Sequence, residues 1–153
     1  TRISDIGLPQ VSRCRSLESI DISRTRITNK GLAALAPLTR LKGLAAAETR
    51  ISNTGLKQAC SLPALEILWI NNTMVTDTGL VALADAKRLR ELDLSGCRIT
   101  DNGLKHIANV RGLQRLVLDR TQVTPKGIQL LRSALPECDI QYTAPAAIRK
   151  TPK

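Results

Sequence analysis

The residues best suited to chemistry in this chain are four cysteines and one histidine. Cys14, Cys60, Cys97 and Cys138 stand 46, 37 and 41 residues apart. Zinc sites draw their thiolates from close pairs, and no CxxC pair is present. The even count allows a disulfide framework, but each cysteine has another assignment below. Nucleophilic catalysis needs a base held against a serine or cysteine. His106 shares a helix position with Ala34, Gln58 and Ala82 and reads as an exposed helix residue. No P-loop or GxGxxG is present, and paired acids occur only as neighbours in repeated columns. No enzyme activity, metal or cofactor is expected from this set.

Basic side chains offer binding chemistry instead. The net charge is +10, from 23 Lys and Arg against 13 Asp and Glu. Arg2, Arg26, Arg50 and Arg98 share one repeated column, with Met74 in the same register. Stacked like charges repel, and a fold does not require them. Two readings stand: a rail for phosphate or carboxylate, or a solvated ladder copied along with the repeat. The chain has one Trp, one Tyr and no Phe. Stacking of single-stranded nucleic acid along the rail is therefore not expected.

These columns follow from a 24-residue repeat. Ile3, Ile27, Ile51, Val75, Ile99 and Val123 recur at that interval, as do Gly7, Gly31, Gly55, Gly79, Gly103 and Gly127. Leucine-type columns run through Leu8, Leu17, Ile20 and Ile22 in the same phase. Segments such as Glu91–Ser95 alternate apolar and polar residues, the pattern of a short half-buried strand. Segments such as 100–110 place Gly103, Leu104, Ile107 and Val110 at helical spacing. Ser4, Thr28, Ser52, Thr76, Thr100 and Thr124 are placed to cap these helices. The expected architecture is α/β: a right-handed solenoid, with a parallel sheet on the concave side and short helices on the convex side. Its six repeats start at 1, 25, 49, 73, 97 and 121 and fill residues 1–142. Residues 143–153 are Pro-, Ala- and Lys-rich and read as a basic flexible tail.

The column Thr1, Thr25, Thr49, Thr73, Cys97 and Thr121 falls just after each strand. A small hydrogen-bonding side chain there can satisfy buried turn groups, so Cys97 reads as a threonine substitute. Cys14 reads as core, Cys60 as a small helix residue, and Cys138 as packed under the last helix. All four read as reduced thiols, which leans toward a cytoplasmic setting without fixing the compartment.

The stretch LRELDLSGCRITDNGL, Leu89 to Leu104, resembles the strand-and-turn motif of leucine-rich-repeat proteins. Its cysteine-bearing portion is similar to the subclass found in F-box-type proteins. The threonine versions TRITNKGL and TRISNTGL look more like bacterial repeats of 24 residues. The resemblance covers residues 1–142 and implies a binding scaffold without naming a partner. A substrate-selecting role in ubiquitin transfer would rest on the Cys97 repeat alone, and the Thr-rich repeats argue against it.

Repeat solenoids bind on their concave face. The outward strand positions there include Ile67, Trp69, Asn71, Glu91, Asp93, Arg115, Val117 and Asp119. An exposed aromatic with an aliphatic neighbour and a charged surround has the composition of a protein-binding hot spot. The competing reading is that Trp69 covers the hollow above Gly43 and Ala45. The expected function is a module gripping a protein partner on this face. The alternative is an anionic polymer or surface, nucleic acid included, bound along the Arg column and the convex basic residues. A third reading is a spacer with no ligand. No stretch approaches the roughly 18 apolar residues of a membrane span. The first residue is not Met and the first repeat has no cap. A longer parent chain, or a dimer through the uncapped N-terminal end, is expected from that.

Overall fold

The computed structural model describes residues 4–144. Its strands are β1 (Ser19–Asp21), β2 (Gly43–Ala45), β3 (Ile67–Trp69), β4 (Glu91–Asp93), β5 (Arg115–Val117) and β6 (Asp139–Gln141). They form one six-stranded parallel sheet in chain order. Ser19, Gly43, Ile67, Glu91, Arg115 and Asp139 lie side by side across it, one repeat apart. Helix α1 (Leu8–Val11) precedes β1, and between the strands lie α2 (Asn29–Ala33), α3 (Asn53–Cys60), a 3-10 helix (Asp77–Asp85), α4 (Asp101–Ile107) and α5 (Pro125–Ala134). The 3-10 segment departs from the expected α-helix. Its residues carry the same Gly and Leu columns as its neighbours, so nothing in the sequence marks the difference.

The repeated apolar columns become continuous ridges of the core. Leu44, Leu68, Leu92 and Leu116 on the strands are buried, as are Ile27, Ile51, Val75, Ile99 and Val123 after them. Leu32, Leu56, Leu80, Leu104 and Ile128 pack against these from the helical side. Each such side chain contributes roughly 1.5–3 kcal/mol by leaving water. Stability therefore accumulates along repeat-to-repeat interfaces. Among the described residues the first repeat has one such interface. Val11, Leu17 and Ile20 are half-buried there, and Ile6 is exposed. Cys14 is likewise exposed and not core: no described residues cover it on the side where an earlier repeat covers its column mates Leu38, Leu62 and Val110.

Strands β1 to β5 end in the same way. Residues Arg24, Glu48, Asn72, Gly96 and Arg120 all adopt the left-handed conformation, with φ between 54° and 68°. One residue later, the hydroxyls of Thr25, Thr49, Thr73 and Thr121 donate to the carbonyl three residues back, at 2.6–2.7 Å. Cys97 occupies the threonine column but bonds differently. Its thiol donates to the Ile70 carbonyl, the one that also accepts the Thr73 hydroxyl, at 3.3 Å and touches the Thr73 hydroxyl at 3.5 Å. The strand read as Glu91–Ser95 stops at Asp93, because Asp93 Oδ1 accepts both the N–H and the hydroxyl of Ser95 and folds the chain over.

Helix entry corrects the capping pattern. Thr28, Thr100 and Thr124 accept a backbone N–H of their own helix, but Ser52 and Thr76 do not. Ser4 caps nothing with its side chain, since α1 begins after Gly7. The reason lies in a second ladder. Asp5, Asn29, Asn53, Asp77 and Asp101 each reach forward one repeat and accept the backbone N–H of Thr28, Ser52, Thr76, Thr100 and Thr124, at 2.8–3.0 Å. An Asp accepts the hydroxyl proton as well, which leaves the hydroxyl lone pairs free for the helix. An Asn donates its amide to the hydroxyl, and the cap bond is then absent. The glycine column serves this ladder: a Cβ on Gly31, Gly55, Gly79, Gly103 or Gly127 would run into the bridging side chain.

Candidate functional site

The three-residue strands give two outward side chains each, one above the other across the sheet. Register then fixes the neighbours. Trp69 lies between Ala45 and Asp93, and Ile67 lies between Gly43 and Glu91. Val117 follows Asp93, and Arg115 follows Glu91. Trp69 remains 45% exposed, and Ile67 is half-buried. Ala45 and Gly43, beside Trp69 and Ile67 on β2, are small and half-buried. On the other side, Trp69, Glu91, Asp93, Arg115 and Val117 line a hollow of about 250 Å³ floored by Leu92. Five of the eight residues marked on the sheet face in the sequence meet at this hollow. Ile67, Asn71 and Asp119 do not line it. Asp119 is spent on structure instead, accepting the Thr143 N–H at 2.7 Å.

The polar groups around the hollow differ in how far they are satisfied. Asp93 Oδ1 is taken by Ser95 at 2.8 and 2.6 Å, and Oδ2 has no partner among the described residues. Glu91 has no side-chain hydrogen bond or ion pair among the described residues. Arg115, its neighbour in register, reaches away to Gln141 Oε1 at 3.5 Å, a distance at the limit of a hydrogen bond. At the far end of the face, Asp21 accepts the Ser23 N–H at 2.8 Å, and hydrogen bonding by Ser23 holds its carboxyl below the usual range.

The Arg column is laid out along the turns that follow the strands. Arg50 and Arg98 form isolated parallel bridges with Thr28 and Thr76, and Met74 does the same with Ser52. Arg26, Arg50 and Arg98 are exposed, and none forms an ion pair among the described residues. Met74 interrupts them, 57% exposed. Arg2 lies outside the described residues. Other basic residues are less free. Lys42 and Arg40 both hold Glu18, at 2.9 and 3.3 Å, and Lys42 with Arg40 keeps that carboxyl below its ordinary range.

His106 departs from the sequence reading. It is half-buried and lines a hollow of about 390 Å³ beside the 3-10 helix, with Val81, Leu83 and Val110. Cys60 is the last residue of helix α3, as its column suggested, and is buried while its column mates Ala36 and Ala84 are exposed. Burial pushes the Cys60 thiol up to about 12, and burial likewise raises Cys97 and Cys138. All four cysteines are free thiols. Among the described residues no cluster of three or more His, Cys, Asp or Glu could hold a metal ion. No helix of the described residues is long and apolar enough to cross a membrane.

One parallel strand and one short helix per 24 residues, with Leu and Ile ridges and an Asn or Asp ladder, define a leucine-rich-repeat solenoid. The family described as "Leucine Rich repeat" matches two stretches of the chain, residues 13–36 and 88–108. Similar solved structures are bacterial. An internalin of Listeria monocytogenes matches with a TM-score of 0.74 at 24% identity, over 94% of this chain and 39% of that one. Internalin C2 of the same organism matches with a TM-score of 0.72 at 24% identity, over 88% of this chain and 55% of that one. A leucine-rich-repeat protein of Leptospira interrogans matches with a TM-score of 0.64 at 25% identity, over 87% and 33%. This chain thus spans a third to about half the length of these structures. No protein of curated function matches its sequence. Leucine-rich-repeat proteins generally mediate protein–protein interaction and are typically not enzymes.

Proposed function

We propose that this chain is a protein-interaction module whose concave sheet face, centred on Trp69, grips a protein partner. The observation that carries this reading is Trp69 itself. The only tryptophan of the chain stands 45% exposed at the edge of a hollow lined by Glu91, Asp93, Arg115 and Val117. Large aromatics with charged neighbours are the residues on which interface energy concentrates. Rigid strands hold them in place before any partner arrives. Ile67 adds apolar area on the same strand, and Asn71 and Asp119 form the polar rim. A nuclease-treated lysate passed over the chain and its Trp69→Ala variant, at low and high salt, tests this. A protein retained in high salt by the wild type and lost with Trp69→Ala is the expected result. Equal retention by both proteins would remove Trp69 from the site.

A second reading rests on Arg26, Arg50 and Arg98, exposed and without ion-pair partners among the described residues. An anionic polymer or acidic surface bound there, nucleic acid included, would be lost steeply as salt rises. It would be insensitive to Trp69→Ala. A dimer through the N-terminal end is the arrangement supported by the exposed Ile6 and the half-buried Leu17 and Ile20. Sedimentation of the wild type and Ile6→Asp would register it as a concentration-dependent mass that the variant lacks.

A further inference from the structure

Charge is distributed on this molecule against its overall balance. The chain carries 23 basic and 13 acidic residues. The outward positions of the six strands and the residue two beyond each carry five acids, Asp21, Glu91, Asp93, Asp119 and Asp139, and one base, Arg115. The sheet face is therefore acidic on a strongly basic protein. The acids beside Trp69 are also the ones left wanting. Glu91 has no polar partner, and Asp93 keeps Oδ2 unoccupied among the described residues. Arg115, the one nearby cation, points to Gln141 rather than to Glu91.

Resting on the concave-face reading above, we propose that the hollow beside Trp69 takes a basic side chain of the partner, an arginine or a lysine, presented from an extended or exposed segment. The aliphatic stem of such a side chain lies along Val117 and the Trp69 ring. Its cation meets the ring face and the two carboxylates. An aromatic ring and a carboxylate both favour a cation, and together they favour it more than either alone. The hollow, at about 250 Å³, admits one long side chain and little else. An acidic or purely apolar anchor would leave Glu91 and Asp93 facing it unpaired, which disfavours both.

Trp69 is the sole tryptophan, so its fluorescence reports the hollow directly. The probe is a Gly-Arg-Gly-Arg-Gly peptide, with a citrulline version of the same shape and no charge as the comparison. Saturable change in Trp69 emission by the arginine peptide, at least roughly tenfold tighter than by the citrulline peptide, is expected. Glu91→Gln with Asp93→Asn, which keeps the acceptor for Ser95, should reduce that preference to near parity. Arg115→Gln removes the competing cation and should tighten the arginine peptide. Equal response to both peptides, or no effect of the double variant, overturns the basic-anchor inference. Should the peptides fail while a lysate protein is still lost on Trp69→Ala, the concave site stands and only its preference for a basic side chain falls. Should neither depend on Trp69, both readings fall.

Discussion

The carboxylate of Asp101 holds the start of the next helix with both its oxygens: Oδ1 accepts the Thr124 N–H at 2.9 Å and Oδ2 the Thr124 hydroxyl at 2.6 Å. The hydroxyl, having donated its proton, still accepts the Gly127 N–H at 3.1 Å. One side chain in one repeat thus sets the cap of the helix in the next. Where the bridge is Asn29, the amide donates to the Ser52 hydroxyl at 2.8 Å and the cap bond is missing.

Asp-to-Asn exchange should therefore transfer the cap. Asp77→Asn is expected to turn the Thr100 hydroxyl into an acceptor toward repeat four and cost about 0.5–1 kcal/mol, the worth of a cap bond. Asp77→Ala removes both bonds and leaves a partly buried N–H unpaired, for about 1–3 kcal/mol. Asn29→Asp should free Ser52 to cap α3 and leave stability unchanged or slightly raised. Urea unfolding of the three variants checks the order. A Asp77→Asn variant as damaged as Asp77→Ala would refute the exchange of roles.

The glycine column should owe its strictness to the same ladder. The atoms nearest a Cβ built on Gly127 all belong to the Asp101 carboxyl group. Gly127→Ala is expected to cost about 1–3 kcal/mol through that clash. In an Asp101→Ala background the same substitution should cost far less, giving a coupling of at least about 1 kcal/mol in a double-mutant cycle. Additive effects would place the need for glycine elsewhere.

Fold and site were legible to different depths. A repeat with no insertion over six periods forces one strand and one helix per turn, because each residue column must become a ridge. The outward strand positions followed from the two-residue period of a strand, so Trp69, Glu91, Asp93, Arg115 and Val117 could be placed on one face without coordinates. The diversion of Arg115 to Gln141 could not, since rotamers have no period. The Asp5, Asn29, Asn53, Asp77 and Asp101 column was visible as a repeat but polar, and a search led by apolar columns passes over it. Cys14 was misplaced for a related reason. A column predicts burial only where both neighbouring repeats are present.

The left-handed position after strands β1 to β5 is a separate source of strain. Gly96 meets it without cost, whereas Arg24, Glu48 and Arg120 hold φ near 55°. A non-glycine residue there gives up about 1–2 kcal/mol, less for Asn. Arg120→Asn should raise stability by about 0.5 kcal/mol, seen as a higher urea midpoint at unchanged slope. Gly96→Ala should lower it by about 1–2 kcal/mol or more, since its Cβ would also meet Asn72. Both substitutions are exposed or half-exposed, so core packing does not confuse the reading.

Cys60 makes stability fall in alkali. Burial, and secondarily the charge of Asp85, push its thiol from 9.0 up to about 12. The folded state thus holds the proton that the unfolded state releases. The stabilising contribution is complete below pH 9 and is lost as pH rises from 9 toward 12, at about 1.4 kcal/mol per pH unit. Tyr and Lys titrate in the same range, so the comparison is with Cys60→Ala, which shares them. Urea unfolding should show a constant gap between the two proteins from pH 7 to about 8.5, narrowing by roughly 1 kcal/mol per unit above 9. Thiol labelling supplies an independent check on the same burial. Exposed Cys14 should react first at pH 8, and Cys60 and Cys97 only as fast as the solenoid opens. Curves for the two proteins that stay parallel through pH 10.5, or a Cys60 that labels as fast as Cys14, would show that the α3 thiol is open to water.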